Sequence, residues 1–138
     1  MPRKDFFHSE IKTALERDGW VITDDPLQMI WEDKLYNPDL GAERVLAAEK
    51  GLEKIEVEIK SFIGQNFSFD FYEALGQYDN YFFALKDLEP ERLVIIAITE
   101  TAYEKFFIKK YVQRILYLKK IPILVVDTEN QCVLKWIK

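Results

Sequence analysis

The chain has 138 residues, 49% of them hydrophobic and 31% charged, with a net charge of −5. That is the size of one domain, 1–138, with enough apolar material for a core; the acidic balance argues against a protein built mainly to coat nucleic acid. A single cysteine, Cys132, excludes an internal disulfide, and beside a single histidine it excludes a Cys/His zinc site. No apolar run approaches the roughly 18–20 residues that span a bilayer. The start, Met1-Pro2-Arg3-Lys4-Asp5, does not have the form of a secretory signal. A soluble cytoplasmic protein without a membrane partner is expected. Aromatic residues reach 14% (ten Phe, seven Tyr, three Trp), more rings than so short a chain easily encloses. A partner-facing or oligomer-forming surface is therefore expected.

Asp5 to Asp18 has helical spacing, with Phe7, Ile11, Ala14 and Leu15 on one face, Asp5 as a cap and Gly19 just past the end. Trp20 to Thr23 predicts a short strand. Asp24 to Pro38 has two prolines and no period, and predicts mostly loop. Leu40 to Glu49 suits a strand, Lys50-Gly51-Leu52-Glu53 a turn, and Lys54 to Ser61 the clearest strand of the chain. Phe69 to Leu88 is helical, with Phe71, Leu75, Tyr78, Phe82 and Leu85 on one stripe, and Pro90 closes it. Arg92 to Ile98 is almost continuously apolar, as in a strand buried on both faces. Thr101 to Lys120 is largely helical, Ile121 to Asp127 a strand, and Val133 to Ile137 an edge strand. The order implies an α/β class fold with a central mixed β-sheet flanked by helices.

In Lys54-Ile55-Glu56-Val57-Glu58-Ile59-Lys60, alternation sends Ile55, Val57 and Ile59 to one face and Glu56, Glu58 and Lys60 to the other. One reading is a half-buried strand with a solvated charged face. The other adds Pro38-Asp39, which a hairpin can bring beside Glu58. Two carboxylates with the Ile59 carbonyl make an oxygen-lined site suited to Mg²⁺ or Mn²⁺, and Lys60 could then orient a metal-bound water or stabilise a phosphate oxygen. The metal ligands on this reading are Asp39 and Glu58, and the chemistry is phosphodiester hydrolysis. Gln77 and Tyr81, four apart on a helix, either lean over this site or simply pack on the sheet. Glu43 and Glu49 read as hairpin surface, His8 as a packed or capped side chain, and Cys132 as a small apolar residue. Residues 104–120 hold six basic side chains against one acidic, Glu104. Such a helix suits phosphates, solvent or an acidic partner.

The set Pro38-Asp39…Glu58-Ile59-Lys60 resembles the PD-(D/E)xK restriction-endonuclease-like superfamily. That resemblance implies catalytic roles for Asp39, Glu58 and Lys60, an acidic first-helix residue for which Glu10 is the candidate, and Gln77 of Gln-x-x-x-Tyr as support. A resemblance over nearly the whole chain rests on Lys4-Asp5, Asp18-Gly19-Trp20, Leu40-Gly41-Ala42-Glu43, Ala47-Ala48-Glu49-Lys50-Gly51, Val57-Glu58-Ile59-Lys60-Ser61-Phe62 and Ala74-Leu75-Gly76-Gln77-Tyr78. These runs are similar to the XisH family, the fdxN-element excision controlling factors of cyanobacteria. The resemblance implies an accessory role in excising a DNA element during heterocyst development, with an XisI-like protein and a site-specific recombinase as partners and DNA as a further one. The alternative is an active Mg²⁺-dependent DNA endonuclease using Asp39, Glu58 and Lys60.

Overall fold

The computed structural model describes residues 7–36 and 45–138. Helix α1 (His8–Arg17) buries His8, Ile11, Ala14 and Leu15, the spacing that puts one stripe on a sheet. Its cap position is Phe7, with no side-chain cap; Asp5, expected there, lies outside the described residues. Strands β1 (Val21–Asp24), β2 (Met29–Trp31), β3 (Lys34–Tyr36), β4 (Val45–Lys50) and β5 (Glu53–Lys60) follow. Then come α2 (Phe67–Leu88), β6 (Leu93–Thr99), the single turn α3 (Glu100–Ala102), a π-helical turn (Tyr103–Phe107), α4 (Lys110–Lys119), β7 (Ile123–Asp127) and β8 (Cys132–Ile137).

Six strands form one sheet in the order β1-β4-β5-β6-β7-β8, and β2 and β3 pair separately. β5, β6 and β7 run parallel, whereas β1–β4, β4–β5 and β7–β8 pair antiparallel, so the sheet is mixed. The β4–β5 hairpin turns through Gly51 and Leu52; Gly51 takes the positive φ (+62°) that glycine adopts without steric cost. Ile11, Leu15 and Trp20 pack on Val57, Ile59, Ile95 and Leu124 on one side of the sheet. Phe71, Tyr78 and Leu85 of α2 and Val112 and Leu116 of α4 pack on Val94, Ile96 and Ile98 on the other. No helix among the described residues is long and apolar enough to cross a membrane.

Three local expectations change. The stretch predicted as loop contains the β2–β3 hairpin, whose strands have three residues each, too short for alternation to register. Its turn uses Glu32 and Asp33 at positive φ (48° and 64°), where a hairpin signal would be Asn-Gly. On α2, Phe82 is exposed although Phe71, Tyr78 and Leu85 of the same stripe are buried. The helix expected from Thr101 is interrupted by the π turn, which lets Phe106 stack on Phe67 at 4.1 Å while Phe107 contacts Phe62 at 5.3 Å. That aromatic cluster absorbs part of the ring excess. Phe69, Tyr72, Phe82, Phe83, Tyr111 and Tyr117 stay exposed.

Candidate functional site: the buried charged face of strand β5

β5 is the third strand of the sheet, paired on both edges and covered on both faces. Its alternation is as read from the sequence, but its charged face is not solvated. Glu56 is 0%, Glu58 1% and Lys60 5% exposed. Glu56 lies between Ala47 of β4 and Val94 of β6; Glu58 pairs with Ile96 and Lys60 with Ile98. These apolar neighbours and the overlying α2 form a low-dielectric setting in which each charge needs a counter-charge or a proton.

Lys60 Nζ donates to Gln77 Oε1 on α2. Helix α2 is held in place for this contact by Asn66, whose side chain accepts from Phe69 N at 3.0 Å, and by its apolar stripe. Arg92 enters from the β6 side, donating from Nη1 to the Ile55 carbonyl (2.9 Å) and gripping Glu89 through Nε (2.9 Å) and Nη2 (3.2 Å). Burial, and then the charge of Glu58, push the Glu56 carboxyl well above the ordinary carboxylate range, against the opposing pull of Lys60 and Arg92. Neither Glu56 oxygen has a hydrogen-bond partner among the described residues. Tyr78, held protonated by burial and by the carboxylates of Glu58 and Glu56, donates to the Val94 carbonyl at 3.0 Å and ties α2 to β6.

Of the residues singled out in the sequence, the structure brings together Glu58, Lys60 and Gln77 on the α2 side. Tyr81, one turn beyond Gln77, packs half-buried against the same core. Glu10 is half-exposed on α1, whose apolar stripe packs on the opposite side of the sheet. Asp39 and Glu43 lie outside the described residues, and Glu49 is half-buried on β4. His8 is a packed side chain: Nε2 meets Asp25 Oδ2 at 2.9 Å, and Lys12 Nζ reaches the same oxygen at 3.0 Å. Burial alone would raise the Asp25 carboxyl, but these two hydrogen bonds and the charges of His8 and Lys12 hold it below its usual value. Cys132 is a free thiol at the start of β8.

The expected Mg²⁺ or Mn²⁺ is overturned. Among the described residues no group of three or more His, Cys, Asp or Glu side chains could hold a metal ion. The physical reason is local. Hard divalent cations take about six oxygen ligands, several of them water, whereas the Glu56/Glu58 pair is sealed beneath α2 with the Lys60 ammonium beside it. Sequence reasoning placed Glu56 on this face but gave it no part in the site, and it missed Arg92 and Tyr78. The signal for Arg92 was its position as the one charge heading the apolar run of β6.

The fold and this strand define an α/β protein with a mixed six-stranded sheet and a charged cluster buried at its middle. The pattern of the XisH protein family matches residues 1–134, and the chain belongs to that family. An XisH family protein from Nostoc punctiforme, known from its crystal structure, is 36% identical, with a TM-score of 0.88 over 97% of this chain and 100% of that one. The crystal structure of an fdxN element excision controlling factor protein from Anabaena variabilis is 38% identical, with a TM-score of 0.87 over 96% of this chain and 98% of that one. No curated protein matches the chain.

Proposed function

We propose that this protein is an accessory factor controlling site-specific excision of a DNA element, the fdxN element of heterocyst-forming cyanobacteria. It acts in the cytoplasm, in a complex with an XisI-like protein and a site-specific recombinase that performs the strand exchange. The observation that carries this reading is the end-to-end likeness to the Anabaena variabilis excision controlling factor, at 38% identity and a TM-score of 0.87. Support for action through other proteins comes from the exposed aromatic side chains among the described residues, Phe69, Tyr72, Phe82, Phe83, Tyr111 and Tyr117, on a chain of net charge −5.

On the same reading the fold is of the restriction-endonuclease-like kind. The supports are an opening helix, antiparallel strands ending in Glu58-Ile59-Lys60, a helix carrying Gln77 and then a parallel strand. Here the Glu58–Lys60 strand serves as a polar anchor between sheet and α2. The test is deletion of the gene in its host, with PCR across the excision junction. Restoration of the junction by the wild-type gene supports the role, and unchanged excision in the deletion strain refutes it. Co-purification of a tagged chain with the XisI-like protein of the same host tests the complex separately.

A further inference from the structure

Residues 104–120 hold six basic side chains and one acidic, Glu104, in a chain of net charge −5. The fold arranges four of the six as an exposed track. Lys105 lies in the π-helical turn and Lys109 at the cap of α4. Both ammonium groups sit 5.8 Å from the centre of the Phe106 ring, which makes them neighbours. Lys110 opens α4, and Arg114 stands one turn further on the same face, about 6 Å along the axis. Among the described residues none of these four meets a carboxylate, whereas Lys12, Lys50, Lys54, Arg92 and Lys119 each do. The rings beside Lys105, Lys109 and Arg114 carry no net charge, so a cation over a ring keeps its whole charge for an anion in solvent. The first turn of α4 has no acidic residue, so Lys109 and Lys110 also lie against the positive end of its dipole. Cations there repel the helix end and one another, and an external anion relieves both.

We propose that this track, Lys105, Lys109, Lys110 and Arg114, grips the phosphate backbone of duplex DNA. The inference goes beyond the excision role, in which strand exchange belongs to the recombinase, and does not depend on it. Each strand of a duplex carries a charge about every 3.4 Å along the axis, so cations a helical turn apart each find a phosphate, and each contact releases counterions. A protein surface is the poorer match: lysine is depleted at protein–protein interfaces, and three of the four cations are lysines. Single strands are held by rings on which bases stack, but the rings within the track, Phe67 and Phe106, stack on each other at 4.1 Å and pack on the core. The acidic remainder of the chain repels DNA and so turns this face towards it. Contacts of this kind position the protein and read no base sequence.

The experiment uses the full chain and a fluorescently labelled DNA duplex of arbitrary sequence, followed by anisotropy from about 50 to about 200 mM salt. Binding is expected to fall with salt along a log–log slope of about −3 to −4, the value for four phosphate contacts. Lys110→Gln/Arg114→Gln is expected to weaken binding at least about tenfold at the lowest salt and to make the slope shallower by about two, with a melting temperature no lower than that of the wild type. Lys50→Gln/Lys86→Gln removes the same charge from exposed lysines elsewhere and is expected to leave the slope unchanged. Absence of salt-dependent binding by the wild type, or an equal loss in the two double variants, overturns the proposal. So does tighter binding of a single strand than of the duplex, or a Glu-rich peptide of equal charge binding as tightly as the DNA.

Discussion

At the scale of single residues, a half-buried carboxyl, Asp25, and a fully buried one, Glu56, behave in opposite ways, and each makes an expected outcome. Asp25 gains hydrogen bonds from His8 and Lys12 that outweigh its burial, so its folded-state pKa is lowered. The stability this contributes is present above its unfolded value of 3.8 and is lost as pH falls through the folded one. Asp25→Ala leaves the buried His8 without its partner and should cost about 1–3 kcal/mol in urea unfolding at neutral pH. That cost should shrink in acid; a cost independent of pH would remove the pair from the account. Glu56 is the reverse. Its folded-state pKa is raised by burial and by Glu58, so the associated stability is complete below the unfolded value of 4.5 and declines as pH rises through the folded one. Glu56→Gln cannot ionise, and its melting temperature should gain on the wild type as pH rises from about 5 to about 9. Parallel curves would mean that Glu56 carries its charge freely in the folded protein. The alternation that puts Glu56, Glu58 and Lys60 on one face was legible in the sequence. Their burial was not, because it depends on α2 lying across that face, and no property of seven consecutive residues reports what covers them.

At the scale of elements, the legible parts were those with a long period or a hard stop. β5, β6, β7 and α2 stand within two residues of where apolar patterning puts them, α2 starting at Phe67 rather than Phe69, and Pro90 lies just past the last turn of α2. The hairpin at Met29–Tyr36 and the π turn were not legible. Both are short, and both are held by distant contacts: Trp31 Nε1 donating to Asp87 at 2.8 Å, and Phe107 wedged against Phe62. α2 positions Gln77 and Tyr78 over the charged strand, and its stability can be raised or lowered on purpose. Gly76 lies inside it, and a Cβ there meets nothing within 4 Å. Gly76→Ala should therefore stabilise the protein by about 1 kcal/mol in chemical unfolding. Leu85→Ala, at a fully packed position on the same helix, should cost about 2–5 kcal/mol. A destabilising Gly76→Ala would point to a surface of α2 that is occupied in solution.

At the scale of the whole molecule, the mixed sheet divides the protein into two apolar layers, with α1 on one and α2 and α4 on the other. The charged cluster of β5 belongs to the second layer and is sealed within it. Among the described residues, the apolar surface left exposed includes Phe69, Tyr72 and Phe83 of α2 and Tyr117 and Leu118 at the end of α4. This distribution suits a protein whose work is done through contacts with other proteins, as the excision role requires. The whole-chain resemblance that names the family was legible because it rests on runs spread from Lys4 to Tyr78. The Mg²⁺ or Mn²⁺ expected from a three-residue motif is not sustained, because among the described residues no group of three or more His, Cys, Asp or Glu side chains could hold a metal ion, and Asp39 lies outside them. The central claim, that this protein controls excision of a DNA element, is tested most directly by quantitative PCR across the excision junction in the host with the gene deleted. The expected result is loss of the junction in the deletion strain and its return with the wild-type gene. Excision at the wild-type level without the gene would contradict the account.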